Sequence, residues 1–309
     1  MRRTVGRLAP TPSGDLHLGN VCAFLAAWLS VRAQAGRLLL RVEDVDMGRA
    51  RREIEDGQRR DLEWLGLTWD AEVPRQSSRD YAPALARLSS HLYRCRCSRA
   101  ELAARGGVYP GTCRDKGFGD GALRFRLPDA TITFEDRCRG THGVALSRVG
   151  DPVLRRRDAT VAYMLAVVAD DMADGVTEVV RGADLMDATA AQIAIWRALG
   201  AVPPAWGHTP LVLGPDGAKL SKSHGASSIR RLREAGWQPD DVWRVVLPWL
   251  GLAPQHLSDA VEAFSPSRVL RGPIRIDSAD TGGSREVRWH EAPGASAGTA
   301  AGSQADRVD

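Results

Sequence analysis

Arg7-Leu8-Ala9-Pro10-Thr11-Pro12-Ser13-Gly14-Asp15-Leu16-His17-Leu18-Gly19-Asn20 is the stretch around which the rest of the chain is arranged. An apolar, strand-like run from Thr4 to Leu8 leads into two prolines and a glycine. His17-Leu18-Gly19-Asn20 then opens an apolar segment, Val21 to Val31, with helical periodicity. Strand, tight polar turn and helix form the first half of a nucleotide-binding β-α unit. The start of a helix leaves backbone N–H groups without intrahelical partners, and these attract phosphate oxygens. Gly14 and Gly19 let the backbone approach a ligand where a Cβ would collide.

Far downstream lies Lys219-Leu220-Ser221-Lys222-Ser223. The chain has only three lysines, Lys116, Lys219 and Lys222, and two of them fall in this one loop. Such a loop calls for a compact, mobile ammonium in place of a planar guanidinium.

The 309 residues exceed what one small core needs, so two domains are expected. Apolar content of 43% and charged content of 26% are those of an ordinary globular chain. No apolar run approaches the length of a membrane span, and no signal-peptide core follows Met1-Arg2-Arg3. Five cysteines form no regular framework, which fits a reducing, cytoplasmic setting. A net charge of +4 is compatible with a nucleic-acid partner but does not require one.

Taken in order, Arg37 to Val45 reads as a buried parallel strand ending in Glu43-Asp44-Val45-Asp46, and acidic groups at a strand's carboxyl end lie where α/β sheets bind ligands. A charged amphipathic helix follows from Arg51 to Leu65, and a second helix is expected from Tyr81 to Tyr93. The texture then changes. Cys95, Cys97 and Cys113 sit in a short, turn-rich stretch and can converge on one tetrahedral ion, with His91 upstream or Tyr109 within the loop as a fourth ligand. Cys22 and Cys138 lie in apolar surroundings and read as core. From about Gly121 to Arg157 the residues alternate as short antiparallel strands, closed by Arg155-Arg156-Arg157, so this segment interrupts the α/β pattern as an insertion would. The pattern resumes at Ala159, with a strand over 177–184, Thr189 capping a helix that runs to Leu199, and a strand from His208 to Leu213. Pro239 to Leu250 reads as a helix. After Arg275 the chain fills with Gly, Ala and Ser and reads as disordered.

The motifs His17-Leu18-Gly19-Asn20 and Lys219-Leu220-Ser221-Lys222-Ser223 resemble, in order and separation, the two signatures of class I aminoacyl-tRNA synthetases. Arg7 to Gly14, Val42-Glu43-Asp44-Val45-Asp46 and Val180-Arg181-Gly182-Ala183-Asp184 look like the glutamyl-tRNA synthetase branch. The likeness runs from residue 3 to about 250, with little helical sequence after Ser223. That is similar to the truncated paralogue family, the glutamyl-Q tRNA(Asp) synthetases. The resemblance implies an α/β fold: a Rossmann-type catalytic domain in two halves, 1–72 and 159–223, the second carrying the lysine loop. It also implies an inserted zinc-bearing α+β domain over 73–158, a short helical region over 224–274 and a tail over 275–309.

It further implies tRNA-independent activation of L-glutamate with ATP, accompanied by Mg2+, and transfer of glutamate to the queuosine base at the wobble position of tRNA(Asp). His17, Lys222 and, secondarily, Lys219 are the implied catalytic residues. His17, Gly19, Asn20 and Lys222 would hold ATP. Arg7, Leu8, Ala9, Pro10, Thr11, Glu43, Tyr163 and Arg181 would hold glutamate, two guanidiniums gripping the side-chain carboxylate and Glu43 the ammonium. Where the family pattern often has a polar residue after the tyrosine, this chain has Met164. Cys95, Cys97, Tyr109 and Cys113 match the family's zinc ligands. A monomer is expected, with no membrane partner. Other readings remain: a glutamyl-tRNA synthetase lacking its anticodon region and charging tRNA(Glu), a small-molecule adenylating enzyme, or a catalytically silent RNA-binding module.

Overall fold

The computed structural model describes residues 3–46, 48, 50–104, 106–220, 228–253, 256–279 and 287–292. The opening stretch folds as β1 (Val5–Leu8), a polar turn and α1 (Leu18–Ala33). α1 lies so close on β1 that a Cβ on Gly6 would come within 2.5 Å of Val31. β2 (Arg37–Leu40) pairs parallel with β1, Val5 opposite Arg37 and Leu8 opposite Leu40. The expected strand to Val45 stops early because its partner turns into Pro10 and Pro12, which have no N–H to give a ladder. Their carbonyls instead accept the N–H of Glu43 and Arg51. α2 (Arg52–Trp64) follows, and the short β3 (Ala71–Glu72) pairs parallel with β2.

The helix expected from Tyr81 to Tyr93 is broken. α3 covers only Ala82–Arg87, and Leu92–Cys95 forms β4, because antiparallel pairing across the chain recruits these residues into a sheet. α4 (Arg99–Ala103), β5 (Ala122–Phe125), β6 (Thr131–Asp136), β7 (Gly140–Ala145) and β8 (Val153–Arg155) complete the middle of the chain. β4, β5 and β8 make a separate antiparallel sheet. β6 and β7 do not belong to it.

α5 (Tyr163–Ala173), β9 (Glu178–Gly182), α6 (Met186–Ala198) and β10 (Ala205–Thr209) restore the α/β alternation. β6 runs parallel beside β10, so the β6–β7 hairpin extends the central sheet in the order β7-β6-β10-β9. Ile132 and Phe134 of β6 are buried in the same core as α5 and α6, and alternation alone cannot distinguish that placement from a free-standing sheet. Thr189 lies inside α6 and does not cap it; its hydroxyl bonds the Leu185 carbonyl at 3.0 Å. The two sheet halves meet edge to edge, the Thr177 N–H donating to the Val5 carbonyl at 2.9 Å. The reversal of strand order between β1 and β9 opens a crevice at the strands' carboxyl ends, where open α/β sheets bind ligands.

β11 (Val212–Leu213) leads to the lysine loop, and α7 (Ile229–Glu234), α8 (Pro239–Val246) and α9 (Leu257–Ala263) follow. The helix expected to Leu250 ends in a 3-10 turn over Leu247–Leu250. One core joins α1 to α8 around Trp237, Trp243 and Trp249, and a second packs α5 and α6 on the other half. The tail expected from residue 275 is ordered at its start. β12 (Ile274–Ala279) pairs parallel with β11 and antiparallel with β13 (Val287–Glu291). Ile274 and Ile276 are buried, and Gly282 and Gly283, which follow them in the sequence, hid the pattern. Residues 293–309 lie outside the described residues. No helix among the described residues is long and apolar enough to cross a membrane.

Candidate active site

The crevice is a cleft of about 550 Å³, walled by the β1 turn, the start of α1, Glu43, Tyr163, Arg181 and the approach to the lysine loop. Of the residues the sequence nominated, Arg7, Ala9, Pro10, Thr11, His17, Gly19, Asn20, Glu43, Tyr163, Arg181 and Lys219 all line it. Leu8 does not: its side chain is fully buried and its carbonyl is taken by the Arg41 N–H at 2.9 Å. Met164 is likewise buried and off the cleft, its Sδ 3.8 Å from Gln192 Nε2. Lys222 lies outside the described residues.

His17 is the N-cap of α1. Its Nδ1 accepts the Asn20 N–H at 3.3 Å, and Asn20 Oδ1 accepts the His17 N–H at 3.1 Å. This reciprocal cap fixes the imidazole at the positive end of the helix dipole. A Cβ on Gly19 would stand 3.1 Å from the ring, so glycine is what leaves the imidazole its place. The lysine loop is tied down at both flanks, the far one at His17 itself. On the near side Lys219 bridges back to Leu213, and on the far side Ser228 bridges to His17 while the Ile229 N–H donates to the Leu16 carbonyl at 2.8 Å. Lys219 forms an ion pair with Asp184, which also lines the cleft.

The other end of the cleft is built on buried charge. Arg7 contacts Asp171 of α5 through Nε at 3.2 Å, and Arg41 contacts the same oxygen at 2.7 Å. Arg41 has no exposed surface and also reaches Glu43 at 3.1 Å and Asp174 at 3.3 Å. Burial opposes the charge on Arg41, but Asp171, Glu43 and Asp170 together hold its pKa well above the ordinary arginine value. Burial would raise the Asp171 carboxyl, yet Arg41 and then Arg7 outweigh it and hold it below the usual range. Asp170, next along, is pushed up to about 6 by burial despite bonds from Gln76 and Tyr81. Sequence reading had no signal that tied Arg41 or Asp171 to the site.

Arg181 stands opposite Arg7. Its NH2 donates to Thr189 Oγ1 at 2.8 Å and to the Leu185 carbonyl at 3.4 Å, and its NH1 to the Tyr163 hydroxyl at 3.5 Å. Burial lowers this guanidinium, and Arg7 adds to the effect. Burial likewise pushes the Tyr163 hydroxyl up, keeping it protonated and able to donate. Two guanidiniums and a phenol at one end, with a carboxylate from Glu43 nearby, can take a molecule bearing both a carboxylate and an ammonium.

Away from the cleft, the Sγ atoms of Cys95, Cys97 and Cys113 lie within 4.8 Å of one another. Cys97 and Cys113 are 3.6 Å apart. Tyr109 is buried among them, its hydroxyl accepting the Cys113 N–H at 2.7 Å and within reach of Cys95. His91 packs instead on Phe125, ring centroids 5.4 Å apart. The triad is able to hold a metal ion. A tetrahedral zinc with sulfur at ~2.3 Å sets its ligands about 3.8 Å apart, close to this spacing.

The family model for the catalytic domain of tRNA synthetases class I (E and Q) matches residues 3–107 and 114–269. The chain is 43% identical over 308 residues to the Glutamyl-Q tRNA(Asp) synthetase of Symbiobacterium thermophilum, covering 88% of this chain and 95% of that one. It is 46% identical over 252 residues to the protein of that name from Ectopseudomonas mendocina, covering 76% and 86%. Among solved structures, a glutamate-tRNA synthetase from Elizabethkingia anophelis superposes with a TM-score of 0.79 at 26% identity, covering 91% of this chain and 69% of that one. With a class I fold, a cleft at its strand-order reversal and this extent of identity, the chain belongs to the class I (E and Q) tRNA synthetases, within the glutamyl-Q tRNA(Asp) synthetase family.

Proposed function

We propose that the cleft activates L-glutamate with ATP in the absence of tRNA and that the protein then transfers glutamate to queuosine at the wobble position of tRNA(Asp). The relatives' name supplies the acceptor. The single observation that carries the substrate is the convergence of Arg7, Arg181, Tyr163 and Glu43 on the cleft that also holds the His17 helix start.

In the first step a glutamate α-carboxylate oxygen attacks the α-phosphorus of ATP and the bond to pyrophosphate breaks. Little covalent chemistry falls to the protein, so positioning and charge stabilisation do most of the catalysis. Arg7 and Arg181 hold the side-chain carboxylate and Glu43 the ammonium. His17, Gly19 and Asn20 offer the phosphates a helix N-terminus. Lys222 neutralises the charge that develops on the phosphates, and Lys219, held by Asp184, anchors the base of its loop. In the second step a cyclopentenediol hydroxyl of queuosine attacks the adenylate carbonyl and AMP leaves. The target lies in a single-stranded loop, where RNA bases are accessible. Arg155 to Arg157, at the end of β8, would offer positive charge to the RNA backbone.

Zinc on Cys95, Cys97, Cys113 and Tyr109 completes the assignment. The donor set fits: three thiols and one phenol in a turn-rich segment with only a small core of its own. Bound there, zinc would be structural, cross-linking the loop that carries Tyr109 and Cys113 to β4.

The test is glutamate-dependent ATP–pyrophosphate exchange without RNA, followed by label transfer to tRNA(Asp) with and without queuosine. Exchange is expected without RNA, and transfer only to the modified tRNA(Asp). Charging of tRNA(Glu), or exchange that appears only with tRNA, would overturn the proposal.

A further inference from the structure

Behind Arg181 stand two buried groups to which the reaction above gives no part. His208 of β10 and Asp136 at the end of β6 have no exposed side-chain surface. His208 Nδ1 lies 2.5 Å from Asp136 Oδ2. On its other side His208 Nε2 lies 3.3 Å from Arg181 Nε and 3.1 Å from Thr189 Oγ1. A guanidinium has donors only, so Arg181 Nε–H must donate and His208 Nε2 must present its lone pair. The ring proton therefore sits on Nδ1 and goes to Asp136.

The surroundings hold that arrangement. Burial keeps the imidazole neutral, pushing its pKa to about 4 against the pull of Asp136, and Arg181 adds to the push. Burial opposes the Asp136 charge, but His208 and backbone N–H groups hold it below the usual carboxylate range. Its Oδ1 alone faces the N–H of Cys138 at 3.0 Å, Arg139 at 3.0 Å and His208 at 3.2 Å. Thr189, Leu185 and Tyr163 take three further N–H groups of Arg181, and the Trp206 ring lies 5.0 Å beneath it. With Nε committed to His208, the guanidinium has, among the described residues, one direction left for a ligand, on NH1 beside Tyr163.

We infer that His208, locked in a single tautomer by Asp136, is a positioning residue for substrate recognition, setting the rotation of the Arg181 guanidinium so that its remaining N–H meets the side-chain carboxylate of the amino acid. The inference rests on the proposed glutamate site. It differs from a packing role because it depends on which ring nitrogen carries the proton. Asp136→Asn keeps an Oδ1 acceptor for the three backbone N–H groups but turns an N–H toward His208 Nδ1. The ring must then protonate Nε2, and two donors face each other at Arg181.

The experiment is ATP–pyrophosphate exchange with Asp136→Asn, His208→Ala and His208→Gln. In Asp136→Asn and His208→Ala the KM for glutamate is expected to rise about 10-fold, the loss of one charge-assisted hydrogen bond, while KM for ATP and kcat shift by less than about 2-fold. His208→Gln sets an amide oxygen near the place of Nε2 and is expected to recover most of the loss. A parallel rise in both KM values, or an unchanged glutamate KM in a folded Asp136→Asn, would overturn the inference. Should His208→Ala fail to fold, Asp136→Asn decides alone. A native protein inert with glutamate removes the proposed function and this inference together. A native protein that exchanges normally beside unaffected variants removes only the inference.

Discussion

Asp171→Asn is the sharpest probe of how the cleft is held together. The native carboxylate lies between two buried guanidiniums, 3.2 Å from Arg7 and 2.7 Å from Arg41, and all three side chains are at most 5% exposed. Removing one partner of a buried ion pair costs ~3–5 kcal/mol, because the other charge stays buried without compensation. Arg41 keeps Glu43 and Asp174, so its loss is partial. Arg7 keeps only the Val180 carbonyl at 3.5 Å among its described contacts. Asparagine retains an acceptor oxygen, which puts the cost at the low end, about 3 kcal/mol. Unfolding entropy of ~2.1 cal/mol/K per residue gives about 0.6 kcal/mol/K for 309 residues, so Tm should fall by about 5 °C. The assay is calorimetry without ligands at pH 7, repeated from pH 8 to pH 5. The sign follows from the depressed carboxyl. Its stabilisation is fully present above the unfolded value of ~3.9 and is lost only as pH falls through the lower folded value. The gap between native and variant should therefore stay constant from pH 8 to 5. A shift under about 1 °C, or a gap that closes already near pH 6, refutes the reasoning.

Two further outcomes are expected. Protein loaded with zinc should release one equivalent on denaturation, and Cys113→Ser should abolish that and alter the near-ultraviolet signal of Tyr93 and Tyr109, whose rings lie 6.4 Å apart. Full metal content in the variant would place the ion elsewhere. Gly19→Ala sets a Cβ 3.1 Å from the His17 ring and 3.4 Å from Val212, displacing the imidazole from its cap. KM for ATP should rise about 10-fold while stability falls by only ~1 kcal/mol, the usual worth of a cap. An ATP KM that does not move would separate His17 from the phosphates.

What the sequence made legible was local. The β1 turn and the start of α1 announce themselves through Pro10, Pro12, Gly14 and a periodic apolar run, all settled by nearest neighbours. The cysteine triad is legible for the same reason. What failed depended on distant pairing. Leu92 and Tyr93 have helical company but are claimed by β5, and β6 alternates like any hairpin strand while its partner, β10, is far along the chain. Thr189 looks like a cap, yet its hydroxyl serves Arg181 inside α6. The stretch Leu38-Leu39-Leu40-Arg41-Val42 shows a charge in a buried strand, but nothing in it names Asp171 as the counter-charge. Ile274 and Ile276 were masked by the glycines that follow them.

The two arginines that face each other across the cleft are neutralised in different ways, and the difference assigns their work. Arg7 has a carboxylate in contact, Asp171, which Arg41 in turn fixes, so its charge is balanced before any ligand arrives. Among the described residues Arg181 hydrogen-bonds to neutral acceptors alone: a threonine hydroxyl, a backbone carbonyl, a phenol and an imidazole that burial keeps uncharged, with Asp171 and Asp184 acting on it only from beyond hydrogen-bond reach. A protein that wanted only rigidity would have set a carboxylate in contact there too, since a buried cation without a directly paired counter-charge is costly. Leaving Arg181 oriented but without a carboxylate in direct contact, and with burial lowering its pKa despite Asp171 and Asp184, reserves its charge for the ligand. Asp171→Asn should therefore be felt as lost stability through Arg7, and Asp136→Asn as lost recognition through Arg181. An Asp171→Asn that keeps its stability, or an Asp136→Asn that loses stability while its glutamate KM stays put, would mean that this division is wrong.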